Sequence, residues 1–227
     1  MSVRTDPAVI LTDGGPTGLL ACTIEGVCRP RGNREAEDSG VAVLMLSPAQ
    51  HETREWRKAA AQKAAAACHL GDLVELPPSC PAPNLNPVEA LTAGLLAAGR
   101  EAIRRGWSRV VWPVALGGEG KARGGLEAVS EAFDRAGACA RLLTLDAGPE
   151  GLCIQTPFVD FSDEQLADLA GDLDAPLHCA WFGRPTSPEW DRWERVFHAA
   201  GMDVPGALPG GRTVETKPAL SPVLSAR

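Results

Sequence analysis

The chain reads as an α/β protein, a Rossmann-like parallel sheet flanked by helices. Two observations predict this class. Apolar runs suited to buried strands alternate with segments of helical periodicity, the order that βαβ units require. The first run, Val9-Ile10-Leu11-Thr12, passes into Asp13-Gly14-Gly15-Pro16-Thr17-Gly18 and then into an apolar helix-like segment. That is the layout of a loop offering backbone N–H groups to phosphate at a helix N-terminus. With 227 residues and 44% apolar content, the chain is long enough for one such domain with a full core.

The elements follow in order. A strand over 8–12 leads to a helix over 17–27, and residues 29–39, with Pro30, Gly32 and Asn33 among charges, read as a loop. Residues 41–46 are apolar throughout, as a central strand should be. A helix over 50–70 repeats Trp56, Ala59, Ala60, Ala64, Ala67 and Cys68 at helical spacing, with Arg54, Arg57, Lys58 and Gln62 on the opposite, solvent side. Gly71 ends it. A third strand spans 72–76, and 77–87 is a proline-rich loop. A helix over 88–106, a strand over 109–114 and a glycine loop at 117–120 come next, then a helix over 125–136. Residues 141–146 and 152–155 flank Ala147-Gly148-Pro149-Glu150-Gly151 and read as two short strands with a turn. Ser162 and Gln165 form a capping box for a helix over 163–173. Residues 176–182 read as extended, and 189–200 as a last amphipathic helix. The domain is expected over 1–205, and the Pro/Gly-rich remainder, 206–227, as a mobile tail.

Composition limits the function. The net charge is −7 and no basic stripe is present, which argues against direct binding of nucleic acid or of an anionic membrane surface. No run approaches a membrane span, and the N-terminus has no apolar signal core. Seven cysteines lack any CxxC pair. They read as reduced thiols, buried small hydrophobes of a cytoplasmic protein.

The glycines carry two readings. Gly14-Gly15 is either a tight strand-to-helix turn or a phosphate loop; its place at the end of the first strand favours a ligand, because open α/β sheets bind there. Gly117-Gly118-Glu119-Gly120 follows another strand end, and either lines the same crevice or is a plain loop. His51 either caps a helix or lines the cleft; His69 and His198 sit on helix faces. No Ser/His/Asp set, metal-binding His pair or Walker lysine motif is visible.

The last third carries a family resemblance. Ile154-Gln155-Thr156-Pro157-Phe158-Val159-Asp160-Phe161-Ser162, the following helix, Asp174-Ala175-Pro176-Leu177 with Trp181, and Phe197-His198-Ala199-Ala200-Gly201 resemble 7-cyano-7-deazaguanine synthase, the PP-loop ATPase family of the queuosine pathway. Gln50-His51 opening an alanine-rich helix, and the double glycine after the first strand, resemble further segments of that family. The likeness covers about residues 8–205, with gaps, and rests on the order and spacing of individually weak motifs. It implies a PP-loop-type, adenine nucleotide α-hydrolase-like fold. The activity it implies is ATP-dependent activation of a 7-deazapurine carboxylate, attack by ammonia, and conversion to the nitrile. A four-cysteine zinc site belongs to the family pattern.

This chain departs from that pattern at three places. Asp13 matches the first Ser of the family's Ser-Gly-Gly-x-Asp-Ser loop, Thr17 the Asp and Gly18 the last Ser; Gly14 and Gly15 are kept. A carboxylate at 13 beside a pyrophosphate costs roughly 4 kcal/mol at an effective dielectric near 20, unless a cation such as magnesium offsets it. Gly183-Arg184-Pro185-Thr186-Ser187-Pro188-Glu189-Trp190 stands where the cysteine cluster should be and contains no cysteine. His178 and Cys179 are adjacent and, on a strand, point to opposite faces. Zinc is therefore not expected, and Trp181, Trp190 and Trp193 are expected to pack in place of the metal-held loop. Asn86-Pro87-Val88-Glu89-Ala90 replaces a basic ATP-contacting segment.

The expected function is a divergent relative of the synthase without the standard ligase chemistry, a binding or partner subunit. Its expected partners are a second copy or another protein, and its expected ligand a purine nucleotide. Gly14, Gly15, Thr17, Gly117 and Gly118 are the candidates for binding it, with ATP and magnesium as the implied cofactors and no metal site in the protein. An active ATP-dependent ligase is the alternative, with Asp13, Thr17, Glu119 and Lys121 as working groups; a simple nucleotide-binding domain is the third reading.

Overall fold

The computed structural model describes residues 6–27, 40–46, 48–76, 87–116, 125–147, 151–184 and 187–202. Five parallel strands, β1 (Ala8–Thr12), β2 (Val41–Leu44), β3 (Gly71–Glu75), β4 (Arg109–Val111) and β5 (Cys153–Gln155), form one sheet in the order β3-β2-β1-β4-β5. Val9 is the register point at the centre, opposite Val41 on one side and Val110 on the other. All five residues of β1 and all four of β2 are buried, which explains their unbroken apolar character.

Among the described residues six α-helices cover the sheet: α1 (Pro16–Val27), α2 (Arg54–Ala67), α3 (Pro87–Arg104), α4 (Gly125–Ala147), α5 (Asp163–Asp172) and α6 (Pro188–Ala199). Strand side chains alternate between two cores. Ala8, Ile10, Ala42 and Val111 face α1, α2, α5 and α6, where Leu20, Ala65, Leu166 and Phe197 meet them. Val9, Leu11, Val41, Val43 and Val110 face α3 and α4, through Leu95, Ala98, Ala136 and Leu143. The strand order reverses between β1 and β4, since the chain leaves β1 towards β2 and β3 and then returns to β4. Ligand crevices of open α/β sheets form at such a reversal.

The α5 capping box is present: Gln165 N donates to Ser162 Oγ at 3.2 Å, and Ser162 N donates to Gln165 Oε1 at 2.8 Å. Three expectations need correction. Residues 141–146 are not a strand; they complete α4. Ala132, Ala136, Cys139 and Leu143 are all buried, so the helical period runs straight through Arg141-Leu142-Leu143-Thr144-Leu145. Thr144 donates its Oγ1 hydrogen to Ala140 O at 2.8 Å, which satisfies its hydroxyl within the helix. Residues 176–182 are not simply extended: Leu177–Cys179 is a 3-10 turn. The helix expected from residue 50 starts as a 3-10 helix, Pro48–Thr53, before α2.

Four cysteines, Cys22, Cys68, Cys139 and Cys179, are buried and Cys153 is exposed, all as free thiols. Burial pushes the thiol pKa of each buried one up, so they pack as small apolar groups. No described helix is long and apolar enough to cross a membrane. The loops expected at 29–39 and 117–120, residues 77–86 of the loop expected at 77–87, and the domain end at 205 with its tail lie outside the described residues; Pro87 instead opens α3.

Candidate functional site

A cavity of about 290 Å³ opens at the reversal point, at the C-terminal ends of β1, β2 and β4. Leu11, Met45, Leu91 and Trp112 make its apolar walls, and Asp13, Gln50, Glu189 and Arg192 supply its polar groups. The N-terminal turns of α1, α3 and α6 meet there, bringing Thr17, Ala90 and Glu189 to the rim. Helix N-termini carry partial positive charge, so the crevice favours anions. Two of those anions belong to the chain itself.

The first is Asp13. Its Oδ1 accepts from Gly15 N at 2.9 Å, and its Oδ2 accepts from Gln50 Nε2 at 2.9 Å and from Arg57 at 2.9 Å. Gly14 N is also engaged, donating to Thr12 Oγ1 at 3.0 Å. Both glycine N–H groups that a phosphate loop would present are therefore spent inside the loop. Gly14 itself is fixed by geometry. Its φ is +81°, and an added Cβ would lie 2.3 Å from Arg57 O. Gly14 O accepts from Trp181 N at 2.7 Å, which ties the loop to the last third of the chain.

The second anion is Glu189, in the first turn of α6. Both its carboxylate oxygens accept from one terminal nitrogen of Arg57 at 3.0 Å. Arg57 thus joins three elements: its other terminal nitrogen holds Asp13, and its Nε donates to Thr53 Oγ1 at 3.0 Å. Its side chain is 4% exposed. This corrects the expectation that Arg57 lies on the solvent face of its helix. The buried line of α2 is Arg57, Ala60, Ala61, Ala64 and Ala65, rotated one residue from the expected one. Trp56, expected inward, is 38% exposed and stacks on Trp181 with centroids 5.6 Å apart and planes 6° from parallel. Helical spacing could not single out Arg57; its partners are 44 and 132 residues away.

The other candidates divide. Asp13, Gly15 and Thr17 line the cavity, while Gly14 lies buried behind them. Gly117, Gly118, Glu119 and Lys121 lie outside the described residues. Glu89 is exposed in the first turn of α3. Arg192 is held by Asp163 and lies over the Trp193 ring at 4.5 Å.

The metal question turns on the 3-10 turn. His178 and Cys179 sit there rather than on a strand, with His178 exposed and Cys179 buried against Leu19 and Ala64. Among the described residues no three His, Cys, Asp or Glu side chains gather to hold a metal ion. Trp193 packs on Phe197 at 5.7 Å, with Trp190 beside the same core. The indole of Trp181 is buried with Nε1 unbonded. As the loop stands, the Gly15 N–H that a phosphate oxygen of ATP would use is taken by Asp13.

The sheet order and the placing of the crevice define a Rossmann-like α/β fold. Among solved structures, the chain is similar in fold to the U34-tRNA thiolase NcsA from Methanococcus maripaludis, a structure containing its [4Fe-4S] cluster. The TM-score is 0.50 at 13% sequence identity, over 81% of this chain. The chain spans 61% of the thiolase's length. No family model matches the sequence, and no curated protein matches it.

Proposed function

We propose that this chain is a PP-loop-type binding subunit, related to 7-cyano-7-deazaguanine synthase, that has given up ATP-dependent ligase chemistry. One observation carries the reading: the Asp13 carboxylate sits on the Gly15 N–H, in the position a phosphate oxygen would take. A ligase that cleaves ATP must hold pyrophosphate at this loop. Here an incoming phosphate has to displace a carboxylate that is bound by Gly15, Gln50 and Arg57 together. The cavity stays open beside that plug, with apolar walls suited to a flat base and a few polar groups to orient it. The resemblance supports a purine-type ligand there. Thr17 reaches the same cavity and is the side chain best placed to touch it from α1.

The test is a pair of titrations and a turnover assay. The wild-type protein is expected to bind magnesium–ATP weakly and to release neither pyrophosphate nor AMP with 7-carboxy-7-deazaguanine and ammonia. Release of either product would overturn the reading in favour of an active ligase. Asp13→Ser frees the Gly15 N–H and removes a charge. It is expected to raise magnesium–ATP affinity by at least about tenfold, the equivalent of 1.4 kcal/mol. Unchanged affinity would place the nucleotide elsewhere.

A further inference from the structure

We infer that the crevice at the strand reversal takes an organic cation: a flat apolar body carrying a protonated amine or amidine, with no phosphate. This rests on the proposed reading of the crevice as a binding site whose phosphate position is plugged, and it adds the charge of what enters. Two features of the cavity wall carry it, the charge and the unused hydrogen-bonding capacity.

The described lining holds three charged side chains, Asp13, Glu189 and Arg192. Arg192 is already neutralised, since its Nε and one terminal nitrogen both donate to Asp163. Asp13 and Glu189 share a single guanidinium, that of Arg57. Two carboxylates against one guanidinium leave one negative charge on the wall. Arg57 has nothing left for an incoming anion. Its side chain is 4% exposed, and its three nitrogens are spent on Thr53, Asp13 and Glu189. The helix N-termini do not reverse the sign. At α1 the Gly15 N–H is taken by Asp13, and at α6 the Trp190 N–H is taken by Ser187 Oγ at 3.2 Å. Glu89 adds a carboxylate in the first turn of α3, and Asp191 a further one in the first turn of α6.

The hydrogen-bonding capacity has the same sign. An ionised carboxylate offers about four acceptor sites and no donor. Among the described residues Asp13 uses three, for Gly15, Gln50 and Arg57, and Glu189 uses two, both for Arg57. Both carboxylates line the cavity, 33% and 40% exposed. What remains on them calls for N–H donors, and a charged donor makes the stronger bond. A phosphate brings a like charge instead. Beside the carboxylates, Leu11, Met45, Leu91 and Trp112 present apolar surface, which suits a ring better than a hydrated metal ion. An indole in the wall adds attraction for a cation. A volume of about 290 Å³ lies at the small end of ligand sites, room for one ring system with its head group.

Three probes that share one ring separate charge from shape: benzamidine, a cation; benzamide, neutral; and benzoate, an anion. Each is titrated into the wild-type chain by calorimetry, with ligand-observed NMR as a second readout. Benzamidine is expected to bind at least about tenfold more tightly than benzamide, as charge-assisted hydrogen bonds allow, and benzoate more weakly than either. Glu189→Gln removes one charge and keeps the length of the side chain. It is expected to cut benzamidine affinity at least about tenfold and to leave that of benzamide nearly unchanged. Asp13→Asn repeats the test at the other carboxylate if the first variant folds poorly. Benzamidine that binds no more tightly than benzamide or benzoate, or an affinity that both variants leave intact, overturns the inference. Magnesium–ATP, titrated and assayed for cleavage in the same samples, keeps the two readings apart. An overturned inference with ATP still weak and uncleaved leaves the proposed function standing, whereas release of pyrophosphate or AMP counts against the proposed function itself.

Discussion

Replacing Arg57 by methionine removes the one guanidinium that holds both anions of the crevice. The methionine keeps most of the aliphatic volume, so the loss is electrostatic. Asp13 and Glu189 would then face the cavity without their shared counter-charge, and Asp13 would keep only Gly15 and Gln50. Breaking a fully buried pair typically costs 3–5 kcal/mol. Here the guanidinium side chain is 4% exposed but the carboxylates are 33% and 40% exposed, and water takes over part of their solvation. A cost of about 2–3 kcal/mol results. For a chain of this size one kcal/mol moves the thermal midpoint by about 2–4 °C, so Arg57→Met is expected to lower it by ~5–10 °C. Arg57→Lys is expected to recover less than half, since one ammonium cannot span both carboxylates with a planar fork. Urea unfolding followed by circular dichroism measures the cost, and a double-mutant cycle with Glu189→Gln isolates the pair. Arg57→Met as stable as the wild type, or additivity of the two changes, would refute the bracing role.

Gly14→Ala is expected to destabilise by about 2–4 kcal/mol, because φ is +81° and the new Cβ would meet Arg57 O at 2.3 Å; unaltered urea midpoints would contradict that geometry. Glu101 gives the pH test. Arg104 foremost, then Arg105, hold its carboxyl well below its ordinary value, down to about 2. A depressed carboxyl stabilises above its unfolded pKa and loses that contribution as pH falls through the folded one. The advantage of the wild type over Glu101→Gln should therefore hold at neutral pH, shrink below pH 4.5 and vanish near pH 2. Unfolding curves of the two proteins that stay parallel across that window would show the ion pairs to be inert.

The sequence made much of the fold legible where local chemistry decides. The range of β1 follows from five consecutive buried residues, and the start of α5 from a box of two side chains three residues apart. The loop's strand-to-helix character follows from its glycines. Where distant contacts decide, local pattern misled. Leu143 and Leu145 would share one face of a strand, yet Leu143 is buried in the space above Gly99 while Leu145 is exposed, the split that a helix makes. Arg57 reads as a solvated arginine on an alanine-rich helix until Asp13 and Glu189 converge on it. The same blindness covers the plugged loop. An aspartate at position 13 announces a missing hydroxyl, but its capture by Gly15, Gln50 and Arg57 depends on where α2 lands.

The bond from Trp181 N to Gly14 O and the ion pair from Glu189 to Arg57 also set an order of events during synthesis. β1, α1 and β2 can pair as they leave the ribosome, since their contacts are near in sequence. The loop between the first strand and helix has to wait for residues made more than 160 positions later, and nascent chains stopped short of α6 hold it without its brace. The first feature written in the sequence is thus among the last to reach its final shape.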